Sequence, residues 1–188
     1  MNLHLNPLYK KLLLLAIVLG PIVWLVFTED GRRRTDLVVL YLFGKTELNL
    51  AIENLRGTMT EADFRALFPD LDLRCDDAAN PFGDRLCTVE VGAFNAIPAR
   101  AFTLFLCGDE LCAAKLNYRR AYHETLQRQL TKRLRVRAEH TAEYGGAVSW
   151  PVSDGLLLMP GTTPESDSEA ALMWVSAVAL QQRIKSGG

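Results

Sequence analysis

The segment Phe105–Ala113 (FLCGDELCA) predicts a β-hairpin, and with it an antiparallel sheet. Apolar runs flank the turn sequence Gly108-Asp109-Glu110, and a two-residue loop at Asp109-Glu110 would place Cys107 opposite Cys112. Residues that face each other in a non-hydrogen-bonded pair have Cα atoms about 4.5 Å apart, a distance that a disulfide can bridge. We therefore expect two strands that are joined by their own disulfide.

The patterns on either side of this hairpin predict one α+β domain. Thr60-Glu61-Ala62-Asp63 resembles the capped start of a short helix, with Phe64, Leu67 and Phe68 facing inward before Pro69. Segregated helices and strands are typical of an α+β fold. The other expected elements are a short helix within Thr46–Gly57, strands at Leu86–Val91, Ala101–Cys107, Leu111–Asn117, Ala147–Trp150 and Gly155–Met159, a helix at Arg119–Arg137, and a strand or helix at Ala170–Leu180.

The four cysteines are predicted to form two disulfides, Cys75 with Cys87 and Cys107 with Cys112. Three other interpretations remain open. Eleven, nineteen and four residues separate successive cysteines, whereas zinc ligands commonly pair two to four residues apart. A redox-active pair normally has the C-x-x-C spacing, and free buried thiols would suit a reducing compartment. Two structural disulfides favour an oxidising compartment.

The N-terminal run Leu12–Phe27 (LLLLAIVLGPIVWLVF) contains no polar side chain and predicts a transmembrane anchor helix over residues 12–28. As a helix it would rise about 24 Å, slightly less than a ~30 Å hydrocarbon layer. The alternative is a cleaved signal peptide, but no A-x-A-like cleavage pattern follows the run. Residues 1–11 would then form a cytoplasmic tail and residues 29–45 a membrane-proximal connector. The soluble domain would be residues 46–188.

Basic residues flank the predicted anchor on both sides and are expected at the membrane surface: Lys10, Lys11, Arg32, Arg33 and Arg34. Because the positive charges on the two sides of the anchor are nearly equal, they do not indicate which side faces the cytoplasm. The predicted disulfides favour a domain that lies outside the cytoplasm. The predicted location is the bacterial inner membrane, with one pass and a periplasmic C-terminal domain. Ala16 and Gly20 have the small-xxx-small spacing with which an anchor helix could form a homodimer.

No pattern of catalytic residues is present, so we expect a chain that is not an enzyme and has no cofactor or metal. The net charge of −1 argues against nucleic-acid binding. The aspartates of residues 70–84 could bind a metal, but such loops are more typical of solvated turns. His123 is expected to face solvent. The basic helix Arg119–Arg137 either contacts anionic headgroups or an acidic partner, or is a solvated face.

Residues 46–117 contain two short helices and then three strands, introduced by Gly-x-Met-Thr-x-x-x-Phe at Gly57–Phe64. This order resembles the SmpA/OmlA-type outer-membrane-assembly lipoprotein module. The resemblance implies a small envelope domain that binds other proteins. The predicted function is therefore protein binding in the periplasm, as an accessory, assembly or scaffold component of a membrane complex, with the lipid bilayer and an envelope protein as partners. The alternative is an envelope enzyme or metal-binding protein that uses the acidic loop 70–84.

Overall fold

The computed structural model describes residues 7–28, 35, 46–135, 139–141 and 146–186 of the 188-residue chain. These residues belong to two compact units, Met1–Phe43 and Gly44–Gly188. The N-terminal unit contains helix α1, Pro7–Phe27. Pro21 lies inside this helix, where its ring removes one backbone hydrogen bond.

The predicted N-terminal transmembrane helix is wrong, because among the described residues no helix is long and apolar enough to cross a membrane. Helix α1 also includes two charged residues, Lys10 and Lys11, and charged side chains are costly to place in a hydrocarbon layer.

The second unit is a mixed α+β domain. Its described α-helices are α2 (Glu61–Leu67), α3 (His123–Leu134) and α4 (Ala177–Ser186), and single 3-10 turns occur at Ile52–Asn54 and Arg120–Tyr122. Its described strands are β1 (Glu47–Leu48), β2 (Arg74–Asp76), β3 (Arg85–Glu90), β4 (Ala93–Phe94), β5 (Ile97–Cys107), β6 (Glu110–Tyr118), β7 (Glu139–Thr141), β8 (Ala147–Val152), β9 (Gly155–Pro160) and β10 (Ala171–Ser176).

The strands form one sheet in which β5 is the longest member. From β5 the sheet continues through β6, β10, β9, β8 and β7, and all these pairs are antiparallel. On its other side, β5 pairs with β3 and, at its first residues, with β4. The short strands β2 and β1 pair with β3 and β4, and the β1–β4 pair is parallel.

One face of this sheet forms the hydrophobic core, and we call it the core face. Phe102, Trp150 and Trp174 on this face are completely buried. Helix α2 contributes Phe64, whose ring lies 5.8 Å from that of Phe102. Helix α3 lies against the same core, and its Thr131 Oγ1 accepts a hydrogen bond from Trp150 Nε1. Helices α2 and α3 thus both cover the core face.

The predicted hairpin at Phe105–Ala113 is confirmed, but its loop lies one residue earlier. The loop is Gly108-Asp109, so Cys107 pairs with Glu110 and not with Cys112. Gly108 has a φ of +63°, a conformation that glycine adopts without steric cost and that two-residue hairpin loops favour. The register shifts between Phe105 and Leu106, which accommodates Cys112 as the extra residue of a bulge.

The helix predictions are confirmed in part. Thr60 caps α2, and the side chain of Asp63 completes the reciprocal capping box. Phe64 is buried as expected, but Leu67 is 60% exposed, because α2 is only two turns long and presents one face to the core. The expected helix within Thr46–Gly57 is instead strand β1 and a single 3-10 turn. Ala170–Leu180 proves to be a strand followed directly by a helix, which explains why its sequence fitted both.

Candidate functional site

The second face of the sheet, opposite helices α2 and α3, has an unexpected apolar composition. We call it the open face. One line of paired residues crosses six strands of this face, and every member is apolar. We call this line the apolar row: Leu86, Phe105, Ala113, Val175, Leu156 and Pro151.

The next line of residues on the open face is mixed. It contains three hydroxyl side chains, one amine and two apolar residues: Thr88, Thr103, Lys115, Met173, Leu158 and Ser149. Thr88 Oγ1 lies 3.1 Å from Thr103 Oγ1, so the hydroxyls satisfy each other across β3 and β5. An antiparallel sheet that faces water on one side normally alternates apolar and polar residues. Here β9 and β10 are apolar on both faces.

Helix α4 covers the middle of the apolar row. It follows β10 directly and packs against β6, β9 and β10. Ala113 and Val175 are accordingly buried. On either side of them, Phe105 and Leu156 are only partly buried, and Pro151 at the end of the row is exposed. Apolar surface therefore remains accessible on both sides of α4.

A groove of about 470 Å³ lies beside α4, between the loop of residues 80–84 and the β5–β6 turn. Its lining residues are Asn80, Pro81, Phe82, Gly83, Asp84, Cys107, Gly108, Ala179 and Gln182. The ring of Phe82 lies 5.3 Å from that of Phe105, so the groove adjoins the apolar row. The groove has an apolar side at Phe82 and polar groups at Asp84 and Gln182.

The loop of residues 80–84 is fixed against the hairpin by backbone contacts. A Cβ atom at Gly83 would lie 2.1 Å from Leu106 O, so only glycine allows this approach. The backbone N–H of Asp84 donates to Leu106 O at 2.9 Å. The backbone N–H of Gly108 in turn donates to the carboxylate of Asp84 at 3.0 Å. The groove is thus held in shape without any partner.

Both predicted disulfides, Cys75–Cys87 and Cys107–Cys112, are present. Cys75 and Cys87 face each other directly on β2 and β3. Cys87 is completely buried in the core, whereas Cys107 is exposed at the groove. The two bridges therefore connect similar strand pairs in very different surroundings.

The aspartates of the acidic loop 70–84 do not converge in the structure. Asp72 pairs with Arg74, Asp77 pairs with Arg85, and Asp84 accepts from the hairpin turn. The described residues contain one group with metal-ligand spacing, Glu61 with Cys75 and Cys87. Its two sulfurs are joined in a disulfide and are not thiolate ligands. A hydrogen bond from Arg65, with help from Arg85, lowers the pKa of the Glu61 carboxyl.

Two arginines of the predicted basic helix Arg119–Arg137 form polar contacts with other parts of the domain. Arg133 forms a two-fold hydrogen-bonded ion pair with Glu53. The Arg120 backbone N–H donates to Asp167 at 2.8 Å, and its guanidinium donates to Glu165 O at 2.7 Å. The interpretation as a cationic docking helix is weakened by these contacts, because they tie the helix to neighbouring loops.

His123 was expected to face solvent and is instead 2% exposed. Its Nδ1 lies 2.7 Å from Tyr118 Oη, and its Nε2 is buried with no hydrogen-bond partner among the described residues. Burial lowers the pKa of the His123 imidazole and raises the pKa of the Tyr118 phenol. The pair joins the end of β6 to the start of α3, a contact that depends on the fold and leaves no motif in the sequence.

Only two of the five predicted membrane-surface residues belong to the part of the chain that the structure describes. Lys10 and Lys11 are exposed on α1, whereas Arg32, Arg33 and Arg34 lie outside the described residues. The apolar side chains of α1 are also exposed, with Leu14 and Phe27 among the most accessible.

Comparisons with protein families, curated proteins and solved structures found no match for this chain. The open face was not recognised from the sequence. The signal for it was the uninterrupted apolar run Leu156–Met159, together with the run in β10, because a strand with only one buried face would alternate.

Proposed function

We propose that this domain binds another protein through its open face. The observation that carries the proposal is the apolar row, which crosses six strands and stays partly accessible on both sides of α4. Protein interfaces commonly have an apolar centre within a polar rim. Leu156 and Phe105 would supply the centre. Lys115, Asp84 and Gln182 would supply polar groups at its margin.

The groove beside α4 adds depth to this surface. An apolar side chain of the partner would enter between Phe82 and α4, while the rim groups Asp84 and Gln182 accept and donate hydrogen bonds. Binding would then require little rearrangement, because the backbone bonds at Gly83 and Gly108 already hold the loop in place.

The compartment that we propose is an oxidising one, such as the bacterial periplasm, because both disulfides belong to the folded domain. There the chain would act as an accessory, assembly or scaffold component of an envelope complex. The order of elements that resembles the SmpA/OmlA-type module is met only in part, because strand β1 and a single 3-10 turn replace the first of its two helices.

We further propose that lipid is the partner of α1. Its exposed leucines and the adjacent Lys10 and Lys11 combine apolar surface with positive charge, which anionic headgroups attract. The test is sedimentation of the chain with vesicles that contain anionic lipid. Leu14→Asp combined with Ile17→Asp should abolish co-sedimentation. Unchanged co-sedimentation would remove lipid as the partner of α1.

The experiment on the open face is co-purification of the chain from mild-detergent extracts of the envelope. Leu156→Glu and Leu158→Glu place a charge on the open face. Leu67→Glu is the matched control, since Leu67 is an exposed leucine on α2, which covers the core face. We expect the same partner with the wild type and with Leu67→Glu, and a loss of about tenfold or more with either open-face variant, corresponding to 1.4 kcal/mol.

Equal recovery of the partner with all three variants would refute the open face as the binding surface. A metal-dependent activity that disappears in Asp76→Ala and Asp77→Ala would instead support the alternative function of the acidic loop. Circular dichroism of every variant establishes that the charge has not unfolded the domain.

A further inference from the structure

The two disulfides differ in how accessible their sulfur atoms are to solvent. Cys87 is completely buried on the core face, and the Glu61 carboxylate lies within 4.8 Å of the sulfurs of its bridge. Arg65 also covers this bridge, with its Nη2 3.5 Å from Cys75 Sγ. Attack by an incoming thiol on this bridge is therefore hindered by packed side chains, since Cys87 is inaccessible and Cys75 is only partly exposed.

The other bridge lies at the tip of the β5–β6 hairpin. Cys107 is exposed and belongs to the lining of the groove beside α4, whereas Cys112 is only 6% exposed. Cys107 Sγ lies 3.5 Å from Phe82 O on the groove wall. One sulfur of this bridge is thus accessible from an open groove, and the other is shielded.

We infer that Cys107–Cys112 is a thiol–disulfide exchange site, with Cys107 as the sulfur that is attacked by an external dithiol. A thiolate of the dithiol forms a bond to Cys107 Sγ while the Cys107–Cys112 bond breaks. The electron pair leaves on Cys112 Sγ, which takes a proton from water. The second thiol of the reductant then loses its proton and attacks the reductant's other sulfur, the one that is bonded to Cys107 Sγ. Cys107 is released as a thiolate, and the reductant becomes the oxidised partner.

Exchange at this site leaves the domain folded, because the hairpin does not depend on the bridge alone. Strands β5 and β6 pair from Ala99 and Tyr118 down to the turn, and β3 and β10 hold them on their outer sides. Gly108 also stays bonded to the Asp84 carboxylate. Reduction would therefore change the groove rim and not the core. This inference is independent of whether the open face binds a protein.

The first test measures reduction of the intact wild-type chain by dithiothreitol, with timed alkylation and peptide mass mapping. Arg85 and Arg100 separate Cys75, Cys87 and the Cys107–Cys112 segment into different tryptic peptides, and fragment masses distinguish Cys107 from Cys112 within their shared peptide. We expect Cys107 and Cys112 to be alkylated at least about tenfold faster than Cys75 and Cys87, because the exchange rate depends on access to the attacked sulfur. Near-ultraviolet circular dichroism of the buried Trp150 and Trp174 should stay unchanged during the fast phase.

Alkylation of both pairs at one common rate, or of Cys75 and Cys87 first, would overturn the inference. So would loss of the tryptophan signal in step with the reduction of Cys107–Cys112, because exchange would then require unfolding. The double variant Cys75→Ala/Cys87→Ala provides a second measurement. It should retain the fast rate, whereas a slow rate in a folded variant would contradict the proposed access from the groove.

The second test identifies the attacked sulfur. The wild type is treated briefly with the monothiol 2-mercaptoethanol, and released thiols are trapped with N-ethylmaleimide. We expect the mercaptoethanol adduct on Cys107 and the maleimide on Cys112. The reverse distribution would overturn the assignment of Cys107 as the entry point.

Discussion

The same strands supply two sheet faces with different roles. On β9, Leu157 points to the core face and is completely buried, while its neighbour Leu158 points to the open face and is only partly buried. On β5, Phe102 and Phe105 differ in the same way. The residue types are identical, so composition does not distinguish them. The helices that pack against each face distinguish them, because α2 and α3 cover one face and α4 covers only part of the other.

This difference indicates which apolar residues serve folding and which remain available for binding. Truncating a fully buried side chain leaves a cavity, which lowers the stability of the fold. Truncating a partly exposed side chain leaves a surface depression that water can fill, so the loss of stability is smaller. Pairs of equivalent substitutions on the two faces therefore test the distinction directly.

The largest expected effect is at Phe102, whose ring contacts Phe64 and Phe94 in the core. Phe102→Ala should lower the free energy of unfolding by about 3–5 kcal/mol, as for other buried aromatic residues. Phe105→Ala on the same strand should cost clearly less. The measurement is urea denaturation followed by circular dichroism. Equal losses for the two variants would show that the open face is packed as tightly as the core.

The second pair compares two adjacent leucines. Leu157→Ala should lower the free energy of unfolding by about 2–4 kcal/mol. Leu158→Ala should lower it by less than about 1 kcal/mol, because its side chain is already in contact with water. Thermal denaturation of both variants alongside the wild type measures the difference. A larger loss for Leu158→Ala would reverse our assignment of the two faces.

The third prediction concerns pH and the buried pair His123 and Tyr118 at the edge of the core face. The folded pKa of His123 is lowered by burial, so between its unfolded pKa of about 6.5 and its folded pKa the unfolded chain binds more protons. Stability should therefore fall as the pH falls from 7.5 to 5. The Glu61 carboxyl, whose pKa is also lowered, adds to this loss only below about its unfolded value near 4.5.

The control for this prediction is His123→Gln, which does not titrate and should show a flatter dependence of stability on pH. Denaturation in urea at pH 5, 6 and 7.5 gives the two slopes. Identical slopes for wild type and variant would mean that His123 has the same pKa in the folded and the unfolded state, and would refute a burial-driven shift.

The smallest effect is expected on the open face. The hydroxyls of Thr88 and Thr103 bond to each other in a partly buried setting. Thr103→Val removes this bond and keeps the side-chain shape, so the free energy of unfolding should change by about 1 kcal/mol or less. No pH dependence should accompany it, because neither hydroxyl titrates in this range. A loss comparable to that of Leu157→Ala would contradict the two-face distinction.

Local signals predicted the parts of the fold that local chemistry controls. The capping box at Thr60 and Asp63 and the strand runs around Cys107 are matched by the structure. The hairpin loop was misplaced by one residue, because a bulge at Cys112 shifts the register and no sequence pattern marks a bulge there. The length of the apolar run in α1 predicts a membrane span, whereas the described residues contain no helix that is long and apolar enough to cross a membrane.

The two disulfide pairs and the two strands of the hairpin could be predicted from the sequence by itself, because each depends on residues near one another in the chain. Only the tertiary structure decided which face of β9 and β10 is core, which disulfide is exposed and that His123 is buried. These properties depend on what packs against each residue from distant parts of the chain, and an apolar side chain looks the same in the sequence whether a helix or water covers it.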